Sequence, residues 1–435
     1  MPLPFKEHPL RHAVTTELHA RTFEPIKAPA RVSHLAFICG ERGSGRNTGH
    51  LIKLLEFFGA PVPESVDQYH VADLGGIRLH WERHTEFVTY TFTEPGPYRH
   101  PFDNPVIERL PPQWLAASPG ELVSAVSVAL ESKDMPERSP AELAELFGHN
   151  IIIGSEVVGG LGRAWSDLRI HTDGYARILL RNEGLTDAQA GRMVKRVLEL
   201  NAYRSMTLLA LPVARKVSRT LDTADRRLAA LATVMTEQPS QAPPGQPVES
   251  RLLAELTGLA AEIESVAAQT TFRFEASKAY YRVVKQRLEQ LRQRRIIGLQ
   301  TFTEFLDARL APAVATCESV GSRQRDLAER AARLTALLRA RVEVSLQAQN
   351  RNLLESMDRR AKLQLRLQET VEGLSVIAIG YYGVGLVGYL LKGLESQGLP
   401  VNATLGMGIA MPIVVLSAWF FLKRVKKRLM QGHGE

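Results

Sequence analysis

The sequence predicts an α+β cytoplasmic domain, followed by long helices or a coiled coil, and then a C-terminal two-helix transmembrane hairpin. Three observations lead there. Strand and turn signals fill residues 1–184, leucines at coiled-coil-like spacing run through the later part of 185–373, and two uncharged apolar runs, Leu374–Leu391 and Leu405–Leu422, lie near the C-terminus. At ~1.5 Å per residue each run approaches the ~30 Å thickness of a hydrocarbon core.

Within 1–184, Leu35–Cys39 is a short apolar run, and His50–Phe58 is an amphipathic helix closed by Gly59. Ile77–His84 and Glu86–Thr93 alternate with period two, as paired strands do. Leu122–Leu130 and Ile151–Val158 are further strand candidates, and Asp173-Gly174 sets a hairpin turn between Arg169–His171 and Tyr175–Arg181. Strands with few helices between them point to α+β rather than a doubly wound sheet.

After Gly184 the pattern turns helical. Thr186 caps a block reaching Met235, with only Pro212 to bend it, and 237–250 is a proline-rich linker. A second block runs from Arg251 to about Leu310, where Pro312 allows a break. The third carries Leu327, Leu334, Leu346, Leu353 and Leu367 without interruption into the first apolar run, and from Ala313 to Gly373 it would extend on the order of 90 Å. Arg360 falls where a leucine is expected, so packing against the earlier blocks and self-association are both open.

Charge sets the orientation. Arg359, Arg360, Lys362 and Arg366 precede the first apolar run, Lys423, Arg424, Lys426, Lys427 and Arg428 begin the tail 423–435, and only Lys392 and Glu395 are charged between the runs. The positive-inside rule then places both ends in the cytoplasm of a cell whose inner membrane the hairpin crosses, with Trp419, Phe420 and Phe421 at the inner interface. Gly380, Gly383, Gly385 and Gly388 in the first run, and Gly406 and Ala410 in the second, suit close packing of the two helices or a tight oligomer.

The 435 residues, 45% hydrophobic and 23% charged, allow a substantial core, and the net charge of +8 suits an anionic lipid surface. Acidic residues and glutamines interleave with Arg292, Arg294 and Arg295, which reads as a solvated helix face, so no nucleic-acid partner is expected. Cys39 and Cys317 form no disulfide framework, in keeping with a reducing cytoplasm. The stretch Met1–His8 does not read as a signal peptide.

Two constellations carry possible chemistry. Gly40, Gly43, Gly45, Arg46, Asn47 and Thr48 make a glycine-rich turn between a strand and a helix, with Arg46 and Asn47 where a phosphate loop has its Lys and Ser or Thr. The turn reads as an anion site or as a basic turn in which Asn47 or Thr48 caps the helix. Nine of the 12 histidines fall in the first 100 residues. His8 and His12, four apart, with His19 and His34 following, are metal-ligand candidates against a polar-face alternative. His80, Glu82, His84 and Glu86 share one strand face opposite Leu79, Trp81 and Phe87 and are a second metal-ligand candidate, against a structural alternative. No nucleophile elbow surrounds Ser44 or Ser155, the sequence leaves any cofactor unknown, and an enzyme is the less favoured expectation.

The strings Arg11-His12, Glu17-Leu18-His19-Ala20-Arg21, His34-Leu35-Ala36-Phe37, Gly49-His50-Leu51 and Thr370-Val371-Glu372-Gly373-Leu374-Ser375-Val376 with Tyr381-Tyr382 resemble an uncharacterised family of bacterial membrane-anchored proteins, a domain-of-unknown-function family. The resemblance implies the same layout and supplies no activity. Function is therefore expected to be that of an anchored interaction or scaffold protein, with the lipid bilayer and a protein partner or second copy as its contacts. The alternative is a transporter, because the layout is similar to CorA-type magnesium channels. Their Gly-Met-Asn tripeptide is missing, and its nearest echo is Gly406-Met407-Gly408.

Overall fold

A computed structural model describes residues 7–12, 14–15, 23–40, 44–64, 66, 68–237, 247–396 and 402–431. The chain divides into two units, one of residues 1–233 and 255–334 and the other of residues 234–254 and 335–435.

The first unit is built on one mixed sheet, in the spatial order β2-β3-β4-β1-β5-β8-β7-β6-β9. Its strands are β1 (Ala30–Ile38), β2 (Tyr69–Asp73), β3 (Arg78–Arg83), β4 (Phe87–Pro95), β5 (Glu121–Glu131), β6 (Ile153–Val157), β7 (Gly162–Ile170), β8 (Ala176–Asn182) and β9 (Arg294–Arg295). Neighbouring strands run antiparallel except β5 and β8. The expected β3–β4 pairing and the Asp173-Gly174 turn between β7 and β8 are both present.

Strand alternation gives the sheet two different faces. Leu35, Phe37, Leu79, Trp81, Val88, Tyr90 and Phe92 point to one side, where α1 (Ser44–Phe57) and α2 (Pro112–Ala116) cover them with Leu51, Leu54, Leu55 and Trp114. Gly59 follows α1 with φ +63°, the left-handed stop its sequence suggested. Farther along the sheet, Phe147, just past α3 (Pro140–Leu146), packs on Trp165 and Leu179.

The opposite face is covered by α4 (Asp187–Leu208), whose N-terminus is held by a reciprocal capping box between Thr186 and Gln189. Val194, Val197 and Leu198 of α4 join Val126, Val128, Ile178 and Leu180 in one core. Val284, Leu288 and Leu291 enter that core from the end of α6 (Pro247–Gln290), and Phe302, Leu306 and Leu310 from the start of α7 (Phe302–Ser396). The α+β domain therefore does not stop at residue 184, where the sequence changes character, because the sheet's second face is sealed by helices that follow it.

Two local expectations fail. The break after α6 falls at 291–301 rather than at Pro312, which lies inside α7. In that break Arg292 and Gly298 have positive φ, and Arg294–Arg295 form an edge strand, so these arginines do not lie along a helix. The helical block that Thr186 opens does divide beside Pro212: α4 ends at Leu208, and Pro212 sits in the first turn of α5 (Ala210–Glu237), where a missing amide proton costs nothing. The second correction matters most, since β9 covers the edge of β6.

Beyond the sheet, α5, α6 and α7 of this unit pack through Leu221, Leu228, Leu256, Ile263 and Leu327, with Arg323–Asp222 at 2.6 Å and Arg330–Asp225 at 2.8 Å on the rim. In the second unit, Leu338 is buried and Arg341 reaches Glu249 at 3.6 Å. From Leu346 to Val371 α7 is almost wholly exposed. The unit ends in two helical segments long and apolar enough to cross a membrane, the last part of α7 and α8 (Ala403–Gln431).

Candidate functional site: a polar cleft under the second sheet face

Most of the second sheet face is apolar, but β1, β3 and β4 place His34, His80, Glu82, Thr89 and Thr91 on it, side by side. His34 stands opposite Thr91, which stands opposite His80; Glu82 is opposite Thr89. Across from them, α4 contributes Lys195 and Glu199. Gly191 lets the backbone at Glu24 and Pro25 pass close against α4, since a Cβ there would run into the Glu24 carbonyl.

The central contact is an ion pair, Lys195 Nζ to Glu82 Oε1 at 2.6 Å. Both side chains are more than four-fifths buried. Burial on its own would raise the Glu82 carboxyl, but Lys195, with His80 and His84 nearby, outweighs it and holds the group below the ordinary carboxylate range. His34 is pushed down to about 3, first by burial and then by His84 and His80, against the pull of Glu82. It is therefore neutral at physiological pH. Its Nδ1 lies 2.9 Å from Thr91 Oγ1, and its Nε2 is buried without a partner. His80 Nε2 is likewise unpartnered, because Glu82 at 3.8 Å is beyond hydrogen-bond range.

Two adjoining chambers share Phe23, Glu82, Lys195 and Glu199 as walls. The smaller, of about 50 Å³, contains His34 and His80; the larger, of about 210 Å³, contains His84, Arg192, Arg196, Tyr203 and Arg287. Glu86, in the bend just before β4, is buried and bound to α6 instead, by Arg273 and by Tyr280 Oη at 2.7 Å.

These depressed histidines predict acid sensitivity with a definite sign. For His34 the unfolded state binds the proton first, so stability is intact above the ordinary histidine value of 6.5 and declines as pH falls toward about 3. His50, His70 and His80 are lowered as well, mainly by burial, and act in the same direction. His34→Asn is expected to reduce the slope of stability against pH by up to about 1.4 kcal/mol per pH unit below 6.5, measured by denaturant unfolding across that range. An unchanged slope defeats the assignment.

Among the residues singled out by sequence, His34 lies in this cleft. His8 and His12 are exposed near the N-terminus, where His8 Nδ1 accepts from the Leu10 amide at 3.2 Å and His12 Nε2 lies 3.1 Å from Glu7. His19 and Gly43 are outside the described residues. No group of three His, Cys, Asp or Glu suited to a metal ion occurs among the described residues. In the glycine-rich turn, Gly40 has φ +66° and α1 begins at Ser44, so Gly45, Arg46, Asn47 and Thr48 lie inside the helix rather than at its cap. Arg46 is exposed; Asn47 is buried with Oδ1 unpartnered. His50 is a structural residue, 2.9 Å from Tyr90 Oη, 3.0 Å from the Trp114 carbonyl and stacked on the Trp114 ring.

The hairpin residues separate into two groups. A Cβ on Gly383 would come within 2.6 Å of Val414, on Gly388 within 2.5 Å of Met407, on Gly406 within 2.5 Å of Leu391, and on Gly380 within 3.1 Å of Val415. These four glycines are where the two apolar helices touch. Gly385 faces open space, and Ala410 is half-buried.

A sequence-family profile described as "Protein of unknown function (DUF3422)" matches residues 6–429, nearly the full sequence. The chain belongs to that family. No curated protein matches it. In this DUF3422 member, sequence reading found the alternation of His80, Glu82, His84 and Glu86. It missed Arg192, Lys195 and Arg196, since Lys195 is 113 residues from the carboxylate it meets. The available signal was four charged residues, Arg192, Lys195, Arg196 and Glu199, recurring at helical spacing opposite the apolar stripe of Val194, Val197 and Leu198.

Proposed function

We propose that this is an anchored interaction protein of the bacterial inner membrane. Its C-terminal hairpin lies in the bilayer, both termini are cytoplasmic, and the α+β unit is kept on the cytoplasmic side. The observation that carries this reading is where the apolar side chains point. The two candidate spans are only 11% and 6% buried, whereas an apolar helix in a soluble core is mostly enclosed. Leu386, Tyr389, Leu405, Ile409, Phe420 and Phe421 are all more than three-fifths exposed. An apolar surface of this extent needs lipid around it. Lys423 lies 4.7 Å from the Trp419 ring, a pairing suited to the interface at the basic end.

The partner in this reading is a second copy, engaged through α7 between Leu346 and Leu374. Cation conduction has less in its favour, because neither apolar run carries a charge. Topology tests the anchor. A reporter active only in the periplasm is expected to be silent at Glu435 and active in the loop near Gln397. Activity at Glu435 overturns the hairpin.

A further inference from the structure

The larger chamber of the cleft has an unbalanced charge. Four cations line it, Arg192, Lys195, Arg196 and Arg287, against two carboxylates, Glu82 and Glu199. Both carboxylates are committed, Glu82 to Lys195 and Glu199 to Arg287. Arg192 and Arg196 have no acidic partner among the described residues. Arg192 lies over the Phe23 ring at 4.5 Å, and Arg196 donates to the Gln290 carbonyl at 3.2 Å. Both are half-buried, four residues apart on α4, so they face the same space. Burial, reinforced by Arg192, Arg287 and Arg292 and opposed by Glu199, weakens the hold of Arg196 on its proton. Two neighbouring guanidinium groups, neither paired directly with a carboxylate among the described residues, raise the energy of an empty site and lower that of one holding an anion.

The geometry points to a binding site for a small phosphate monoester, its phosphate held by Arg192 and Arg196 and its hydroxylated remainder directed toward His80 and His34. Planar guanidinium forks match phosphate oxygens two at a time, which a pair of lysines would not do. The adjoining smaller chamber supplies the second half of the argument. Its two buried Nε2 atoms lack partners, and a hydroxyl of the ligand satisfies such an atom as donor or acceptor. At about 210 Å³ and about 50 Å³ the chambers suit a phosphate with a few carbon atoms and fall short of a nucleotide. This site lies wholly within the first unit and stands independently of the membrane reading.

The test is calorimetric titration of the full chain, in detergent and phosphate-free buffer, with glycerol 3-phosphate, inorganic phosphate and glycerol as probes. Glycerol 3-phosphate is expected to bind saturably at one site per chain, more tightly than inorganic phosphate, with glycerol silent. Arg192→Gln and Arg196→Gln are each expected to weaken it about tenfold or more, whereas Arg215→Gln, an exposed cation on α5, leaves it unchanged. Without ligand, Arg192→Gln is expected to melt no lower than the parent chain, because it removes repulsion. Arg192→Lys, which retains charge and loses the fork, gives an intermediate affinity and covers the case in which a neutral variant fails to fold. Absence of saturable binding overturns the proposal, as does equal affinity in parent and Arg192→Lys. Inorganic phosphate binding as tightly as the ester overturns the assignment to a monoester.

Discussion

In native membranes, Leu353→Cys and Leu367→Cys are expected to form disulfide-linked dimers under mild oxidation, whereas Glu355→Cys is expected to stay monomeric. The reason is how charge is distributed around α7. With Leu346, Leu353, Leu367 and Leu374 taken as one core position of a heptad, the other core position holds Asn350, Met357, Gln364 and Val371. Arg351, Glu355, Asp358, Arg359, Lys362, Arg366, Glu369 and Glu372 all fall on the three positions turned away from that seam. Arg351–Glu355 at 3.3 Å and Lys362–Asp358 at 2.7 Å pair along this outer side. Arg360 alone interrupts the seam. Leu346, Leu353, Met357, Leu367 and Val371 are each more than half exposed. On the proposed topology all chains share one orientation and present the same residues at the same height, so Asn350 and Gln364 meet their own copies and favour an in-register parallel pair. A Cys39→Ser background removes the partly exposed native thiol, Cys317 being buried. Equal cross-linking at 353 and 355 rules out pairing through this seam.

Glu86→Ala is expected to cost about 3 kcal/mol, toward the low end of the ~3–5 kcal/mol typical of breaking a buried pair. Glu86 is buried in the bend just before β4 and receives Arg273 Nη1 at 3.0 Å and Tyr280 Oη at 2.7 Å, so one carboxylate ties this end of the sheet to α6. Truncation leaves Arg273 without its counter-ion. Because Arg273 is 20% exposed, water offsets part of that penalty. Glu355→Ala, which removes an exposed pair on α7, should change stability by less than about 1 kcal/mol. Denaturant unfolding of the full chain in detergent separates the two, and comparable losses mean that Glu86 does not tie the sheet to α6.

Local signals explain what could be read directly. The Gly59 stop, the Thr186 cap, the Asp173-Gly174 turn and the alternation of β3 and β4 are all written within a few neighbouring residues. The parallel pairing of β5 with β8 is not, since its partners lie about fifty residues apart and no turn chemistry joins them. The same holds for the cleft. Period-two spacing put His80, Glu82 and His84 on one face, but nothing near them in the sequence names Lys195, Arg192 or Arg196 as the groups opposite. Pro312 was the more visible breaker, yet the chain breaks at Arg292–Gly298, where positive backbone angles are stabilised by pairing to β6.

The two-residue strand β9 also fixes an order of events during synthesis. Until Arg295 has been made, the edge of β6 has no cover, and until Leu310 has been made, Val126, Ile178 and Leu180 lack part of their enclosure. From Asn182 to Leu310 is ~130 residues, which at ordinary elongation rates takes on the order of ten seconds. During that interval a nearly complete sheet is exposed on one edge and part of one face, the condition in which strands of separate nascent chains pair with each other. The apolar runs come later still, from Leu374, so the sheet has all its strands before either run leaves the ribosome.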